Sequence, residues 1–109
     1  MMLITKEQRA KLLKNALVEA DHKPVVKLFT PWGSATWLFT KMGEDEDMLF
    51  GLCDLGQGFP ELGYNSLEEI RSIRGPFRLQ VERDLYFVAT MPLTQYVEKA
   101  NARGRIVEA

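Results

Sequence analysis

Apolar residues recur every three or four positions in the first part of the chain, between residues 6 and 20. They form one stripe along a predicted helix: Ala10, Leu13, Leu17 and Ala20, with Leu12 and Ala16 beside it. Thr5 and Gln8 have the spacing of a capping box. The stretch predicts an amphipathic helix packed on a core. A helix lying on a membrane surface is the alternative, disfavoured because the stripe is short and has no aromatic anchor.

The next part of the chain changes to runs of residues that favour strands. These runs cover residues 25–30, 34–42 and 48–54, separated by Pro31-Trp32-Gly33 and by an acidic turn at residues 43–47. Both faces of the second run are apolar, so it is expected to be the central strand. Residues 25–54 are therefore predicted to form a three-stranded antiparallel meander.

A five-residue hairpin loop at the acidic turn would set the register of this meander. The expected pairs are Met42–Met48, Phe39–Gly51, Leu38–Leu52 and Trp37–Cys53. In this register a large ring lies opposite a glycine, where it can cover the exposed backbone.

The remaining elements follow from capping and turn residues. "NSLEEIRSIRG" predicts a short helix capped by Asn65 or Ser66 and stopped by Gly75. "PFRLQVERDLYFVAT" predicts one long strand or two, and "PLTQYVEKANA" predicts a last helix with Pro92 in its first turn. The tail from Arg103 is expected to fray. The order α-β-β-β-α-β-α predicts a single α+β domain over residues 1–109, with an antiparallel sheet of about four strands.

Composition narrows the class of protein. The chain has 109 residues, 46% of them hydrophobic and 27% charged, as in ordinary globular proteins. No apolar run reaches the length of a membrane-spanning helix, and the first residues lack the apolar core of a secretory signal. One cysteine excludes an internal disulfide, and one histidine disfavours a structural zinc site. These features predict a cytoplasmic protein.

The net charge of −1 hides a strong segregation of charge along the chain. Residues 42–70 contain eight acidic residues and no basic residue, whereas the segments on both sides are basic. Such blocks can create local fields that orient a partner. The alternative is that folding interleaves the blocks and cancels the field.

The glycine-rich segment "CDLGQGFPELGY", residues 53–64, is the most unusual stretch. Its glycine spacing matches neither a dinucleotide-binding fingerprint nor a P-loop. Gly56 and Gly58 are expected to supply positive φ in a tight loop before a helix. A structural loop and a binding surface both fit this pattern, because irregular loops on a rigid sheet often carry function.

Other candidate sites have weaker patterns. Asp54, Glu61, Glu82 and Asp84 could converge as a nuclease-like metal site if the last strand lay beside the third, although an ion pair between Arg83 and Asp84 is the simpler interpretation. Cys53 fits a buried small side chain better than a nucleophile. Four aromatic residues are candidates for stacking on bases: Phe29, Trp32, Trp37 and Phe39. Aromatic residues in strands usually belong to the core, which is the alternative for these four.

Three stretches resemble a known family: "TPWGSATWLFTKM", "LFGLCDLGQGFPELGYNSLEEI" and "VERDLYF". They are similar to an uncharacterised bacterial family, domain of unknown function 2958, over about residues 3–97. The resemblance implies a small cytoplasmic protein that is often carried on plasmids and conjugative elements beside anti-restriction and transfer genes. It implies no established activity and no catalytic residues. A single-strand nuclease activity is suggested for some such families.

The leading functional hypothesis is a non-enzymatic protein-interaction module of mobile-element origin that inhibits a host defence complex or assists conjugative transfer. A DNA-binding or DNA-processing accessory protein is the alternative. No catalytic residue, metal or cofactor is predicted. A protein partner is expected, such as a basic nucleic-acid-binding complex, and direct contact with nucleic acid is the second option. The candidate contact residues are Gln57, Phe59, Glu61 and Tyr64 in the glycine-rich segment and Glu44, Asp45, Glu46 and Asp47 in the acidic turn.

Overall fold

Runs of strand-forming residues separated by turns pair into an antiparallel sheet with helices on both faces. The computed structural model describes residues 2–108, with the elements α1 (Lys6–Ala16), β1 (Val26–Phe29), β2 (Thr36–Met42), β3 (Met48–Asp54), β4 (Glu61–Ser66), α2 (Leu67–Ser72), a 3₁₀ turn (Pro76–Arg78), β5 (Glu82–Arg83) and α3 (Leu93–Arg103). The five strands are ordered β4-β3-β2-β1-β5. The predicted α+β class is confirmed, with one more strand than the four expected.

The predicted meander is confirmed, and β2 is central. Three of the expected pairs form: Phe39–Gly51, Leu38–Leu52 and Trp37–Cys53. The fourth pair is wrong, because Met42 lies opposite Leu49 and not opposite Met48. The cause is a β-bulge at Thr40, an extra residue in β2 that shifts the register by one position toward the turn.

The glycine-rich segment contains the start of a strand that the sequence pattern did not predict. β4 begins at Glu61, pairs antiparallel with β3 and forms one edge of the sheet. The irregular loop is therefore limited to residues 55–60. Leu62 and Tyr64 alternate as in a strand, but Gly63 between them weakens the signal because glycine is depleted in strands.

The prediction of one long strand or two over residues 76–90 is wrong. The strand pairing of this stretch within the described chain is limited to Glu82–Arg83 against β1 and to an isolated bridge between Arg74 and Gln80. That bridge closes a turn in which Phe77 has a φ of 58°. A turn of this kind interrupts the extended backbone that a continuous strand needs.

The first helix begins as predicted but buries a different face. The Gln8 amide donates to the Thr5 hydroxyl at 3.1 Å, and the Thr5 amide donates to the Gln8 side chain at 2.9 Å, which completes the capping box. The buried residues are Leu12 and Asn15, whereas Leu17 is exposed because the helix ends before it. The predicted stripe is therefore wrong, since a polar residue, Asn15, faces the sheet.

α2 begins at one of its two predicted caps, whereas Pro92, expected in the first turn of α3, lies just before that helix. The Ser66 hydroxyl accepts a 3.2 Å hydrogen bond from the Glu69 amide at the start of α2. This helix ends at Ser72, before the stop expected at Gly75. α3 ends at Arg103, and Gly104 after it has the left-handed φ of 70° that is common at helix ends.

The residues after α3, expected to fray, instead contact the sheet. The Ile106 amide donates to the Asp54 carboxylate at 2.9 Å, and the Lys27 ammonium lies 2.7 Å from Glu108. Burial lowers the pKa of Lys27, but its pairs with Glu108 and Asp84 outweigh burial and raise the pKa above its ordinary value. These contacts hold the tail against the sheet through residue 108.

Two apolar cores lie on opposite faces of the sheet. α1 and α2 cover the first face, whose buried residues include Leu12, Val26, Leu28, Trp37, Phe39, Met42, Leu49, Leu67 and Ile70. α3 covers the second face, whose buried residues are Leu38, Leu52, Met91, Leu93, Tyr96 and Ala100. β2 contributes to both cores, in agreement with its central position.

Candidate functional site

Residues 55–60 leave β3 in a tight loop held by two glycines and a buried carboxylate. Gly56 and Gly58 have φ values of 79° and 86°, the left-handed region predicted for them. Asp54 is only 4% exposed, and its carboxylate accepts a 2.8 Å hydrogen bond from the Gly56 amide. The loop is therefore anchored at its base, and its tip extends into solvent.

An open cleft of about 410 Å³ lies where this loop meets β4. We call it the edge cleft; its lining is Cys53, Leu55, Gln57, Phe59, Glu61, Leu62, Gly63, Tyr64 and Asn65. The structure thus brings together all four contact residues predicted in the glycine-rich segment. The side chains of Phe59, Tyr64 and Leu62 are 78%, 69% and 48% exposed. Phe59 is therefore available to a partner and does not fill space beneath the sheet.

The backbone of β4 presents unpaired hydrogen-bonding groups along the outer edge of this cleft. The Gly43 amide donates to the Met48 carbonyl at 2.8 Å, so the backbone groups of Met48 face β2. Because these directions alternate along an antiparallel strand, the β4 residues at positions 61, 63 and 65 face β3. The N–H and C=O groups of Leu62 and Tyr64 therefore point outward, and no strand of residues 2–108 pairs with that edge.

The side chains of β4 divide between the two faces of the sheet. Tyr64 lies on the second face, with its ring centroid 5.1 Å from that of Phe50, and the Lys41 ammonium is 5.4 Å from the Phe50 centroid. On the first face, a Cβ at Gly63 would have no atom within 4 Å. The edge therefore has an aromatic side on one face and open space on the other.

The acidic turn is largely held by its own hydrogen bonds. The Asp45 carboxylate accepts from the amides of Asp47 and Met48 at 2.9 and 3.1 Å, and these bonds hold the pKa of Asp45 below its ordinary value. The Glu46 carboxylate lies 3.3 Å from the Arg9 guanidinium. Glu44 is exposed and has no ion pair within residues 2–108. Glu44 is therefore more available to a partner than Glu46 is.

Asp47 joins the acidic turn to the start of α2. Its carboxylate accepts from the Ser66 hydroxyl at 2.7 Å and from the Glu68 amide at 2.9 Å. Its backbone carbonyl accepts from the Leu67 amide at 2.9 Å. Asp47 therefore has a structural role in the described fold, satisfying amide donors that the first turn of a helix leaves without partners.

β4 connects the two regions that the sequence predicts as contact surfaces. Glu61 follows the loop that carries Phe59, and Ser66 hydrogen-bonds to Asp47 of the acidic turn. The six residues of β4 span roughly 20 Å. An extended ligand along the strand would reach both ends, whereas a small molecule would not.

The carboxylates proposed as a nuclease-like site do not converge. Their convergence requires the last strand to lie beside β3, but β5 pairs with β1 at the opposite edge from β4. Asp84 forms its ion pair with Lys27 at 3.3 Å, and the Arg83 guanidinium donates to the Met2 carbonyl, so the expected pair between Arg83 and Asp84 is wrong. The described residues contain no group of three or more metal-ligating side chains.

Cys53 lies half-buried in β3, beside the edge cleft. Burial raises the pKa of its thiol, and the negative charges of Asp54 and Glu61 act in the same direction. A thiol with a raised pKa has less of the reactive thiolate at neutral pH. Its environment therefore favours an unreactive side chain over a nucleophile.

The four aromatic residues considered for base stacking do not form an exposed platform. Trp37 and Phe39 are buried in the core of the first face. Phe29 and Trp32 are half-buried, and Trp32 lies close enough to Gly75 that a Cβ there would approach its ring to 2.2 Å. These aromatics pack within the fold.

A second cavity, of about 270 Å³, adjoins the edge cleft on the first face. We call it the Trp37 cavity; its lining is Trp37, Cys53, Leu55, Asn65, Ser66, Glu69, Ile70 and Ile73. Glu69 is its charged lining residue, as Glu61 is that of the edge cleft. Neither carboxylate forms an ion pair within the described chain, so both are available to a basic ligand.

Comparison with known proteins agrees with the sequence resemblance. A family model described as "Protein of unknown function (DUF2958)" matches residues 3–107. The chain belongs to this family. No curated protein and no solved structure matches it. Among the described helices of this DUF2958 protein, none has the length and apolar character needed to cross a membrane.

Sequence reasoning did not identify the outward-facing backbone of Leu62 and Tyr64 as a functional feature. That feature depends on which strand lies at the edge of the sheet, and strand order requires the long-range pairing of β4 with β3. The alternation of Leu62 and Tyr64 between two polar positions could have indicated the strand. No local sequence pattern indicates that this strand lies at the edge of the sheet.

Proposed function

We propose that this DUF2958 protein is a protein-interaction module with no enzymatic activity of its own. The observation that carries this proposal is the edge cleft, where an unpaired strand lies beside exposed Phe59, Leu62 and Tyr64. Exposed apolar groups concentrated at one site are typical of surfaces that bind other proteins. An aromatic side chain next to a proline supplies a large contact at low entropic cost, as at Phe59-Pro60.

The family resemblance gives the proposal its biological setting. A bacterial cytoplasmic protein carried on plasmids or conjugative elements would meet host defence complexes and transfer proteins, and these are the proposed partners. Many such complexes present basic grooves for nucleic acid. The acidic residues around β4 suit a basic target, because complementary charge raises the rate of association.

Affinity capture with matched variants tests this function. The wild-type protein, Phe59→Ala and Phe77→Ala serve as baits in lysate of a bacterial host, and captured proteins are quantified by mass spectrometry. Phe77 is the control because it is equally aromatic, 98% exposed and remote in sequence from the edge cleft. The proposal predicts a partner that Phe59→Ala loses and Phe77→Ala retains. A partner set unchanged by Phe59→Ala contradicts it.

A DNA-binding accessory protein is the second candidate, and one observation favours it. Phe77 and Tyr86 are 98% and 91% exposed in the basic segment after residue 70. Exposed aromatics beside arginines such as Arg78 are typical of surfaces that stack on single-stranded bases. Binding of single-stranded DNA that Phe77→Ala weakens and Phe59→Ala does not would support this candidate over the first.

A further inference from the structure

We infer that the outer edge of β4 binds an extended basic segment of a partner protein, which adds to the sheet as a sixth, antiparallel strand. This inference rests on the proposed function and specifies how the edge cleft recognises its partner. Its premise is the unpaired backbone of Leu62 and Tyr64, which offers two N–H and two C=O groups to an added strand.

Over the described residues, β4 lacks most of the features that usually block strand addition to a sheet edge. Natural sheet edges are usually blocked by prolines, bulges, inward charges or a covering segment. β4 itself contains no proline, its pairing with β3 runs without a bulge, and no described helix covers Leu62 or Tyr64. An exposed edge with apolar side chains is the type of surface to which extended peptides add.

The two faces of the edge select different side chains at alternate positions of the added strand. On the second face, Leu62 and Tyr64 present apolar surface, so the residues opposite them should be apolar. On the first face, Gly63 leaves open space and tolerates a small or medium side chain. The face-to-face alternation follows from the period of two in any strand.

Charge identifies the segment as basic. Glu61 is the charged residue of the edge cleft and Glu69 that of the Trp37 cavity, which also contains Asn65. Positions 61 and 65 lie on the first face, four residues apart along β4. Two basic residues four positions apart in the added strand would lie opposite Glu61 and Asn65, the second of them beside the cavity that Glu69 lines.

A second copy of the chain is a poorer occupant of the same edge. Pairing β4 with β4 of another molecule would bring the acidic segment of residues 42–70, with eight acidic and no basic residues, against itself. Repulsion between the two acidic segments as a whole would oppose this pairing. The segment that best fits has the pattern basic-apolar-x-apolar-basic.

Synthetic peptides test this recognition with the full chain. The first probe is fluorescein-labelled Thr-Lys-Val-Thr-Val-Lys-Thr, the second replaces both lysines by glutamate, and the third carries N-methyl groups on both valine nitrogens. Fluorescence anisotropy should show saturable binding of the first probe with a Kd below about 1 mM. The acidic and N-methylated probes should bind at least about tenfold more weakly, since one loses charge complementarity and the other loses backbone donors.

Matched variants of Leu62 separate backbone pairing from side-chain contact. Leu62→Pro removes the outward N–H, and Leu62→Ala removes the same side chain but keeps that N–H. The first probe should bind Leu62→Pro at least about tenfold more weakly than Leu62→Ala. Thermal unfolding of both variants checks their folding, and the N-methylated probe carries the test if Leu62→Pro unfolds.

Several results would overturn the inference. They are equal binding of the basic and acidic probes, equal binding of the N-methylated probe, no saturable binding of any probe, or a dimer of the free protein that Leu62→Pro dissolves. A captured partner that requires Phe59 but binds Leu62→Pro and Leu62→Ala equally would overturn strand addition and leave the proposed function standing. Binding of the basic probe without any Phe59-dependent partner would contradict the proposed function alone.

Discussion

The side-chain amide of Asn15 donates a 3.0 Å hydrogen bond to the carbonyl oxygen of Thr40. Thr40 is the extra residue of the β2 bulge, and such a residue is left without a partner in the ladder. Asn15 is one of the buried residues of α1. The bond therefore satisfies a backbone carbonyl that the bulge frees, and it joins α1 to the central strand.

Asn15→Ala should destabilise the protein because it leaves the Thr40 carbonyl buried without its donor. The expected loss in the free energy of unfolding is about 1–3 kcal/mol, measured by urea denaturation. Asn101→Ala is the matched control, since Asn101 is exposed on α3. The control should change stability by less than about 0.5 kcal/mol. Equal effects of the two substitutions would contradict the role given to Asn15.

The parts of the fold that depend on local patterns could be predicted from the sequence, whereas the buried face of α1 could not. The capping box of Thr5 and Gln8 and the pair Phe39–Gly51 follow from local patterns, and both are confirmed. The buried face of α1 was mispredicted because it depends on Asn15, whose partner is a bulge in a distant strand. A bulge adds one residue without changing the composition of the strand, so the hydrophobic pattern does not reveal it.

Gly51→Ala and Gly63→Ala should differ greatly in their effect on stability, although the two glycines are paired across neighbouring strands. A Cβ at Gly51 would come 1.9 Å from the Leu38 carbonyl oxygen, a backbone atom that cannot easily move, whereas a Cβ at Gly63 meets nothing within 4 Å. Gly51→Ala should lower the free energy of unfolding by about 3 kcal/mol or more. Gly63→Ala should change it by less than about 1 kcal/mol. Chemical denaturation of both variants measures these changes. A Gly51→Ala variant as stable as the wild type would contradict the close approach of Gly51 to the Leu38 carbonyl.

Asp54→Asn should loosen both the loop after β3 and the chain after α3. The Asp54 carboxylate accepts from the amides of Gly56 and Ile106, and an asparagine offers one acceptor oxygen in place of two. We expect a loss of about 1–3 kcal/mol in unfolding free energy and faster amide exchange at Ile106. Glu61→Gln, a matched change of an exposed carboxylate, should leave both quantities nearly unchanged. Unaltered exchange at Ile106 in Asp54→Asn would argue against this anchor.

Cys53 should react slowly with iodoacetamide in the folded protein. Burial and the charge of Asp54 raise the pKa of its thiol, so less thiolate is present at pH 8 than in the unfolded chain. The folded protein should react at least about tenfold more slowly than the urea-unfolded protein. Its rate should also continue to rise at pH values where the unfolded thiol has already titrated. Equal rates in the two states would show that Cys53 is accessible and ordinary.

The candidate site was partly predictable from the residues alone. An aromatic next to proline in a glycine-rich loop indicates exposure, and Phe59 is exposed. Acidic composition did not reveal that Asp45 and Asp47 accept internal hydrogen bonds, because those partners are set by the turn and by the start of α2. The sequence also does not show that β5 lies beside β1. The predicted carboxylate cluster required this strand to lie beside β3, so the cluster does not form.

Amide hydrogen exchange on the complex with the basic peptide reports directly on the backbone groups that strand addition would use. Binding should slow exchange at Leu62 and Tyr64, whose N–H groups point outward, and leave Gly63, already paired with β3, nearly unchanged. Tyr86, at the other side of the molecule, provides an internal reference. Strand addition therefore predicts protection at both Leu62 and Tyr64. Unchanged exchange at both residues while the peptide is bound would contradict it.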